Sequence, residues 1–209
     1  MLEAIEITVP QKLDTMHLPA PELLSFYKDI ERRIIWVDDS IDEGLIETVK
    51  WLLRWNQEDE GKHKDERKPI RMFIYSPGGD LYATFACVDV MLASETPIIT
   101  INAGMAMSGG FLLLLAGEKR YALPHSTAMF HSGSAGFEGN AAQVETATKH
   151  YKKQLEQMKT YTLGRTTMNA RTYNKYKDSD GWVDAQDQLK HGIVHEIVSN
   201  VSEIISGDQ

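Results

Sequence analysis

Cysteine is nearly absent: Cys87 is the only one in 209 residues. No disulfide can form within the chain, which fits a reducing cytoplasm. Cys87 sits in the apolar stretch Phe85-Ala-Cys-Val-Asp-Val-Met-Leu and reads as a small core residue, not a nucleophile. Long hydrophobic runs are also missing. The longest, from Phe111 to Ala116, is far short of the roughly 20 residues a membrane helix needs. The opening Met1-Leu-Glu-Ala-Ile-Glu-Ile has no basic region ahead of an apolar one, so no secretory signal is expected. Positive charge is scarce. Lys and Arg number 22 against 30 Asp and Glu, a formal net charge of −8. That argues against nucleic-acid binding, which usually needs a basic face. No internal repeat and no low-complexity tract is present. The expectation is a cytoplasmic protein that uses no cofactor, no metal, no membrane and no nucleic acid.

What is present is an alternation of strand-like and helix-like segments. A chain of this length can bury roughly 70% of its unfolded surface, so it needs no staple. Arg33-Ile-Ile-Trp-Val37 reads as a first buried strand. Ile41, Leu45, Ile46, Val49, Leu52 and Leu53 then recur at helical spacing. Residues 57–68 are almost wholly polar and read as an exposed loop. Further strands are expected at 72–75, 97–101, 120–123 and 127–130, with a helix over 81–93. A terminal strand is expected around Gly192-Ile-Val. Such alternation predicts an α/β fold with mainly parallel strands. Residues 141–163 keep an apolar stripe through Val144, Tyr151, Leu155 and Met158 without Gly or Pro. This long helix packs either on its own sheet or on another subunit. Residues 1–30, with Pro10, Pro19 and Pro21, read as an arm ending in a short helix.

Three segments carry chemistry. In Gly104-Met-Ala-Met-Ser108-Gly-Gly-Phe-Leu-Leu a serine stands between small residues and a long apolar run. Phe73-Ile-Tyr-Ser-Pro-Gly78-Gly79-Asp80 is an apolar strand ending in a Gly-Gly turn. Ala128-Met-Phe-His131 is an apolar run ending in histidine. Serine is a weak nucleophile until a base takes its proton, and histidine suits that task near neutral pH. Glycines after Ser108 let a helix begin close behind the hydroxyl, with free N–H groups able to bind an anion. Gly78 and Gly79 can bring another N–H to the same place. Together these are the parts for acyl transfer.

A third group must orient the histidine. Asp178, Asp180, Asp184 and Asp187 all follow the long helix. Two chain orders stand: Ser108, His131, then an aspartate; or Ser108, an aspartate, then His191 or His195, as in α/β-hydrolases. The second order wants a Gly-x-Ser-x-Gly elbow, and Ala106 breaks it.

Between Arg32 and Ile197 the chain resembles the proteolytic subunits of the Clp (caseinolytic) proteases. The resemblance rests on Arg33-Ile-Ile-Trp-Val with Ile41-Asp42, Tyr75-Ser-Pro-Gly-Gly, the Ser108 segment, Leu123-Pro-His-Ser with Met129-Phe-His131, Gly139-Asn-Ala-Ala, and Asp180-Gly-Trp-Val-Asp-Ala followed by Gly192-Ile-Val. It implies a crotonase-like superhelix of repeated β-β-α units with a protruding handle helix at about 137–163, in a catalytic domain over 31–209. It implies Ser108 as nucleophile, His131 as base and Asp180 as orienting acid, with the N–H groups of Gly79 and Gly109 as oxyanion hole. It also implies a serine endopeptidase acting on unfolded polypeptides inside a heptameric ring, with two rings stacked through their handles and an AAA+ ATPase as feeder. The chain departs from the family pattern at several points. Gly109 replaces a usual methionine, which would loosen the oxyanion turn. Arg71 and Ala93 stand in the usually apolar ATPase-docking pocket. Ser179 replaces an arginine that joins the rings. Alternative readings are a phage capsid-maturation protease of this type, a crotonase-type acyl-CoA enzyme and a non-catalytic ring subunit.

Overall fold

A computed structural model describes residues 21–177 and 180–205. The chain divides into two units between Arg32 and Arg33. In the first, helix α1 spans Pro21–Glu31; the rest of the expected arm, residues 1–20, lies outside the described residues. The second unit runs β1 (Ile34–Val37), α2 (Leu45–Glu58), β2 (Ile70–Ser76), α3 (Leu81–Ala93), β3 (Ile98–Met107), α4 (Gly109–Ala116) and β4 (Lys119–Ala122). It continues with β5 (Thr127–Phe130), α5 (Ala141–Arg165), α6 (Ala170–Lys177), β6 (Gly181–Asp184), α7 (Ala185–Lys190), β7 (Glu196–Ile197) and α8 (Val201–Ile205).

The main sheet has the order β1-β2-β3-β4-β7 with every pairing parallel. β5 pairs parallel with β3, and β6 pairs antiparallel with β5. This is the expected α/β class with a parallel sheet and flanking helices. A parallel strand covered on both faces reads as a nearly continuous apolar run, and β2 does so, with Ile70, Met72 and Ile74 fully buried. Helix α4 is apolar all round and every one of its residues is buried, as a central helix requires. Leu112, Leu113, Leu114 and Leu115 are each at most 1% exposed, and burying each contributes about 2 kcal/mol. That anchors the helix behind Ser108.

β3 changes neighbours along its length. Residues up to Asn102 pair with β4, and residues from Met105 pair with β5. A register irregularity against β2, between Ile74 and Ser76, accompanies the switch. A bulge of this kind bends a strand and re-aims the residues beyond it. Here it sends the end of β3, and so Ser108, toward β5.

Three expectations shift. Helix α2 begins at Leu45, and Ile41 instead forms an isolated parallel bridge with Gly79. The polar 57–68 stretch is not all solvated. Asp59 is fully buried, with Arg33 Nη1 at 2.5 Å, Lys62 Nζ at 2.7 Å and the Thr96 hydroxyl at 3.0 Å. A buried carboxylate persists when partners satisfy its oxygens, and that set is invisible in a charged run. The terminal strand forms at Glu196–Ile197, because the Ile193 and Val194 N–H groups turn back to the Gln188 carbonyl.

The long helix α5 divides in character. Met158 and Thr162 are its buried residues. The Tyr161 hydroxyl donates to the Leu112 carbonyl (3.1 Å), and Arg165 donates to the carbonyls of Leu115 and Gly117 (both 2.8 Å). So the C-terminal part of α5 is tied to α4. Before Met158 no residue of α5 is buried. No helix among the described residues is long and apolar enough to cross a membrane.

Candidate active site

Ser108 stands between the end of β3 and the start of α4. Its backbone has φ 51° and ψ −114°, close to the first central position of a type II′ turn. A side chain held there stores about 1–3 kcal/mol of strain. The register fixes it: Met107 is level with Met129, and the Ser108 N–H donates to the Met129 carbonyl (2.8 Å). His131 comes directly after the end of β5, and its Nε2 lies 3.0 Å from Ser108 Oγ. On the antiparallel side Phe130 is level with Gly181. One step outward on this ladder brings His131 opposite Asp180, and Nδ1 lies 3.2 Å from Oδ1. The His131 side chain is 25% exposed and that of Asp180 60%.

The Gly-Gly turn closes on the serine from the other side. Gly78 has φ 89°, and a Cβ there would lie 2.7 Å from the Ser108 Cβ. A Cβ on Gly79 would overlap the Ile41 carbonyl. Ile41 clamps this turn through its N–H to the Gly78 carbonyl (2.9 Å) and its carbonyl to the Asp80 N–H (2.7 Å). That bridge leaves the Gly79 N–H unused, and among the described residues it has no acceptor. The Gly109 N–H opens α4, where helix geometry provides no partner. A Cβ on Gly109 would lie 3.5 Å from the Gly79 nitrogen, so the backbones of Gly79 and Gly109 come close together beside Ser108. The turn is not loose at Gly109. A Cβ there would meet Thr84 Oγ1 at 2.6 Å and Ile41 Cδ1 at 3.1 Å. These two side chains occupy the space a larger residue would need.

The other candidates go elsewhere. Asp184 caps α7, accepting from the Asp187 N–H (2.8 Å), and Asp187 lies 3.7 Å from Lys190 Nζ. The His191 ring meets the Tyr176 edge at 5.8 Å. His195 Nδ1 accepts from the Arg120 N–H (3.2 Å); burial, then the Arg120 and Arg165 charges, lower its basicity. Asp178 and Ser179 lie outside the described residues. Arg71 is buried and donates from Nε to the Ile204 carbonyl (2.8 Å). Sequence reasoning missed Ile41 and Thr84. Both act through one backbone bridge or one close contact, which leaves no periodic trace. Among the described residues no cluster of three His, Cys, Asp or Glu is placed to hold a metal. The arrangement can activate a hydroxyl and receive an oxyanion.

Comparison with known proteins points to one family. The family model described as "Clp protease" matches residues 22–201. The chain is 31% identical over 184 residues to an ATP-dependent Clp protease proteolytic subunit of Deinococcus radiodurans, covering 86% of this chain and 87% of that protein. It is 31% identical over 175 residues to ATP-dependent Clp protease proteolytic subunit 2 of Tropheryma whipplei, covering 82% and 94%.

Proposed function

The chain belongs to the Clp protease family, and from that premise we propose that it is a cytoplasmic serine endopeptidase cutting unfolded polypeptides inside a ring of its own copies. One observation carries the reading. Ser108 Oγ, His131 and Asp180 form a continuous path at 3.0 and 3.2 Å, with the Gly79 and Gly109 N–H groups beside the serine.

In the proposed cycle His131 Nε2 takes the Ser108 proton as Oγ bonds to the scissile carbonyl carbon. The carbonyl electron pair moves to oxygen. The Gly79 and Gly109 N–H groups and the positive end of α4 receive that oxyanion. Asp180 holds the His131 tautomer and stabilises the imidazolium. The imidazolium gives its proton to the leaving amine as the C–N bond breaks. Water then attacks the acyl-serine with His131 again as base, releasing the carboxylic acid and restoring Ser108.

Clp proteolytic subunits form oligomeric rings and associate with ATPases. For this chain the proposal is a heptameric ring, with two rings paired through the part of α5 before Met158. That stretch is long and has no buried residue. A closed chamber would spare folded proteins, which cannot pass a narrow pore. Docking of the usual ATPase is disfavoured by Arg71, a charged residue in the usually apolar docking pocket, whose Nε donates to the Ile204 carbonyl.

Sedimentation at micromolar concentration, combined with cleavage of a quenched unfolded polypeptide, tests the reading. The expected result is a ring-sized particle that cleaves the unfolded chain, spares a folded one and loses cleavage in Ser108→Ala. A monomer that cleaves peptides would remove the chamber. Full turnover by Ser108→Ala would remove the serine mechanism.

A further inference from the structure

The base stands at the head of a segment without regular structure: residues 131–138 belong to no strand or helix. Yet its neighbour Ser132 is tied from two sides. The Ser132 N–H donates to the Lys177 carbonyl at the end of α6 (3.1 Å). The Ser132 carbonyl accepts from the Tyr151 hydroxyl on α5 (2.7 Å). Tyr151 also closes on the residues beyond Ser132. A Cβ on Gly133 would lie 3.0 Å from its hydroxyl, and its ring meets Phe137 edge-on with centroids 5.9 Å apart. The preceding residue reaches the opposite side of the site. His150 Nε2 lies 3.0 Å from the Tyr82 hydroxyl with the rings nearly parallel, and Tyr82 is in the first turn of α3, just after the Gly78–Gly79 loop. Two consecutive residues of α5 therefore touch the base segment and the helix behind the oxyanion loop.

We infer that Tyr151 is a positioning residue for His131: its hydroxyl holds the Ser132 carbonyl and so fixes the backbone that carries the base. This rests on the serine-peptidase reading above. His131 must meet Ser108 and Asp180 at once, and the backbone after it has no strand partner to hold it. Without the Tyr151 bond, Ser132 keeps only the Lys177 tie, and the imidazole can swing off the serine. Burial raises the pKa of the Tyr151 hydroxyl, so it remains a donor throughout the neutral range. The part of α5 that has no buried residue thereby has a direct mechanical link to the base.

Tyr151→Phe removes the donor and keeps the ring against Phe137. Losing one hydrogen bond and the alignment it supports should lower kcat on a short peptide ester about five- to tenfold. KM should stay within about twofold, because the bond acts on the base rather than on substrate. The rate of fluorophosphonate labelling should fall by the same factor as kcat. Phe137→Leu removes the ring contact only and should keep kcat near wild type. Tyr151→Gln retains a donor and should keep more kcat than Tyr151→Leu. Wild-type kcat and labelling in Tyr151→Phe would overturn the inference. Equal losses in Tyr151→Phe and Phe137→Leu, or in Tyr151→Gln and Tyr151→Leu, would also overturn it. Ser108→Ala in the same series separates the two readings. If it still hydrolyses the ester, the serine-peptidase reading fails. If it is inactive while Tyr151→Phe behaves as wild type, only the positioning role fails.

Discussion

Ser108 is held by a strand end, a buried helix and a glycine turn packed against it, whereas Asp180 meets His131 at the end of the antiparallel β5–β6 pair with most of its side chain in solvent. On the serine side, Gly78, Gly79, Gly109, Ile41 and Thr84 leave no room for an added methyl. On the acid side, the geometry depends on register and on single hydrogen bonds such as Tyr151 to Ser132. Ser108 (φ 51°) and Asp180 (φ 43°) both sit at positive φ, and the fold packs tightest around the bond-making atom, which must not move. It leaves softer the part that only orients a proton carrier. Substitutions can break the two sides separately.

The largest effect is expected at Ser108. Ser108→Ala should abolish turnover, a loss of about six orders of magnitude by analogy with other triads. Its stability should stay near wild type, since alanine keeps the same backbone strain. Ser108→Gly should be equally inactive but more stable than Ser108→Ala by about 1 kcal/mol, because glycine accepts φ 51° without penalty. Denaturant titration of the two variants checks this. Equal stabilities would mean that the serine side is unstrained.

Next comes Asp180→Asn. It favours the wrong histidine tautomer, and the loss should reach up to about four orders of magnitude in kcat. The solvated position of Asp180 should place it below that ceiling. Asp184→Ala, measured beside it, should keep turnover and lose about 1 kcal/mol of stability, because Asp184 caps α7. Strong loss of activity at Asp184 with none at Asp180 would show that the acid is misassigned.

Gly79→Ala should rank third, with a loss of about 10²–10³ in kcat. The added methyl would strike the Ile41 carbonyl and push the N–H away from the oxyanion. Wild-type kcat in this variant would remove Gly79 from the proposed oxyanion hole.

Much of the site was readable from the chain because its signals are local. Helix 81–93 and strand 127–130 show clear apolar patterns between turn residues, and the structure places them at Leu81–Ala93 and Thr127–Phe130. Ser108 and His131 stand out through residue type and context, whereas chemistry alone leaves Asp180 level with Asp178, Asp184 and Asp187 and only the family resemblance picks it. The register of β3, β5 and β6 brings the three residues together. What stayed hidden is non-local. Ile41 looks like the start of a helix but makes a one-residue bridge to Gly79. Tyr151 fits an ordinary apolar stripe, and nothing nearby announces that its hydroxyl reaches Ser132. Asp59 looks solvated until Arg33, Lys62 and Thr96 converge on it.

Asp59 gives an effect on stability with none expected on turnover, and so a control remote from either side. Burial alone would raise its pKa, but hydrogen bonds from Arg33, Lys62 and Thr96, with the Arg33 charge, outweigh that and hold it at about 2. A carboxyl depressed on folding adds stability above its unfolded pKa, and that stability is lost as pH falls through the folded value. The contribution, on the order of 2 kcal/mol, should be full above about pH 4 and fade toward pH 2. Urea titrations of wild type and Asp59→Asn across that window should converge at the acid end. A constant gap between them would contradict the assignment.

Fluorophosphonate labelling with mass-spectrometric mapping tests the central claim most directly. The account predicts a single adduct on Ser108 in the wild type, and almost none in His131→Ala at the same concentration. An adduct on another residue, or a Ser108 adduct formed equally fast without His131, would contradict it.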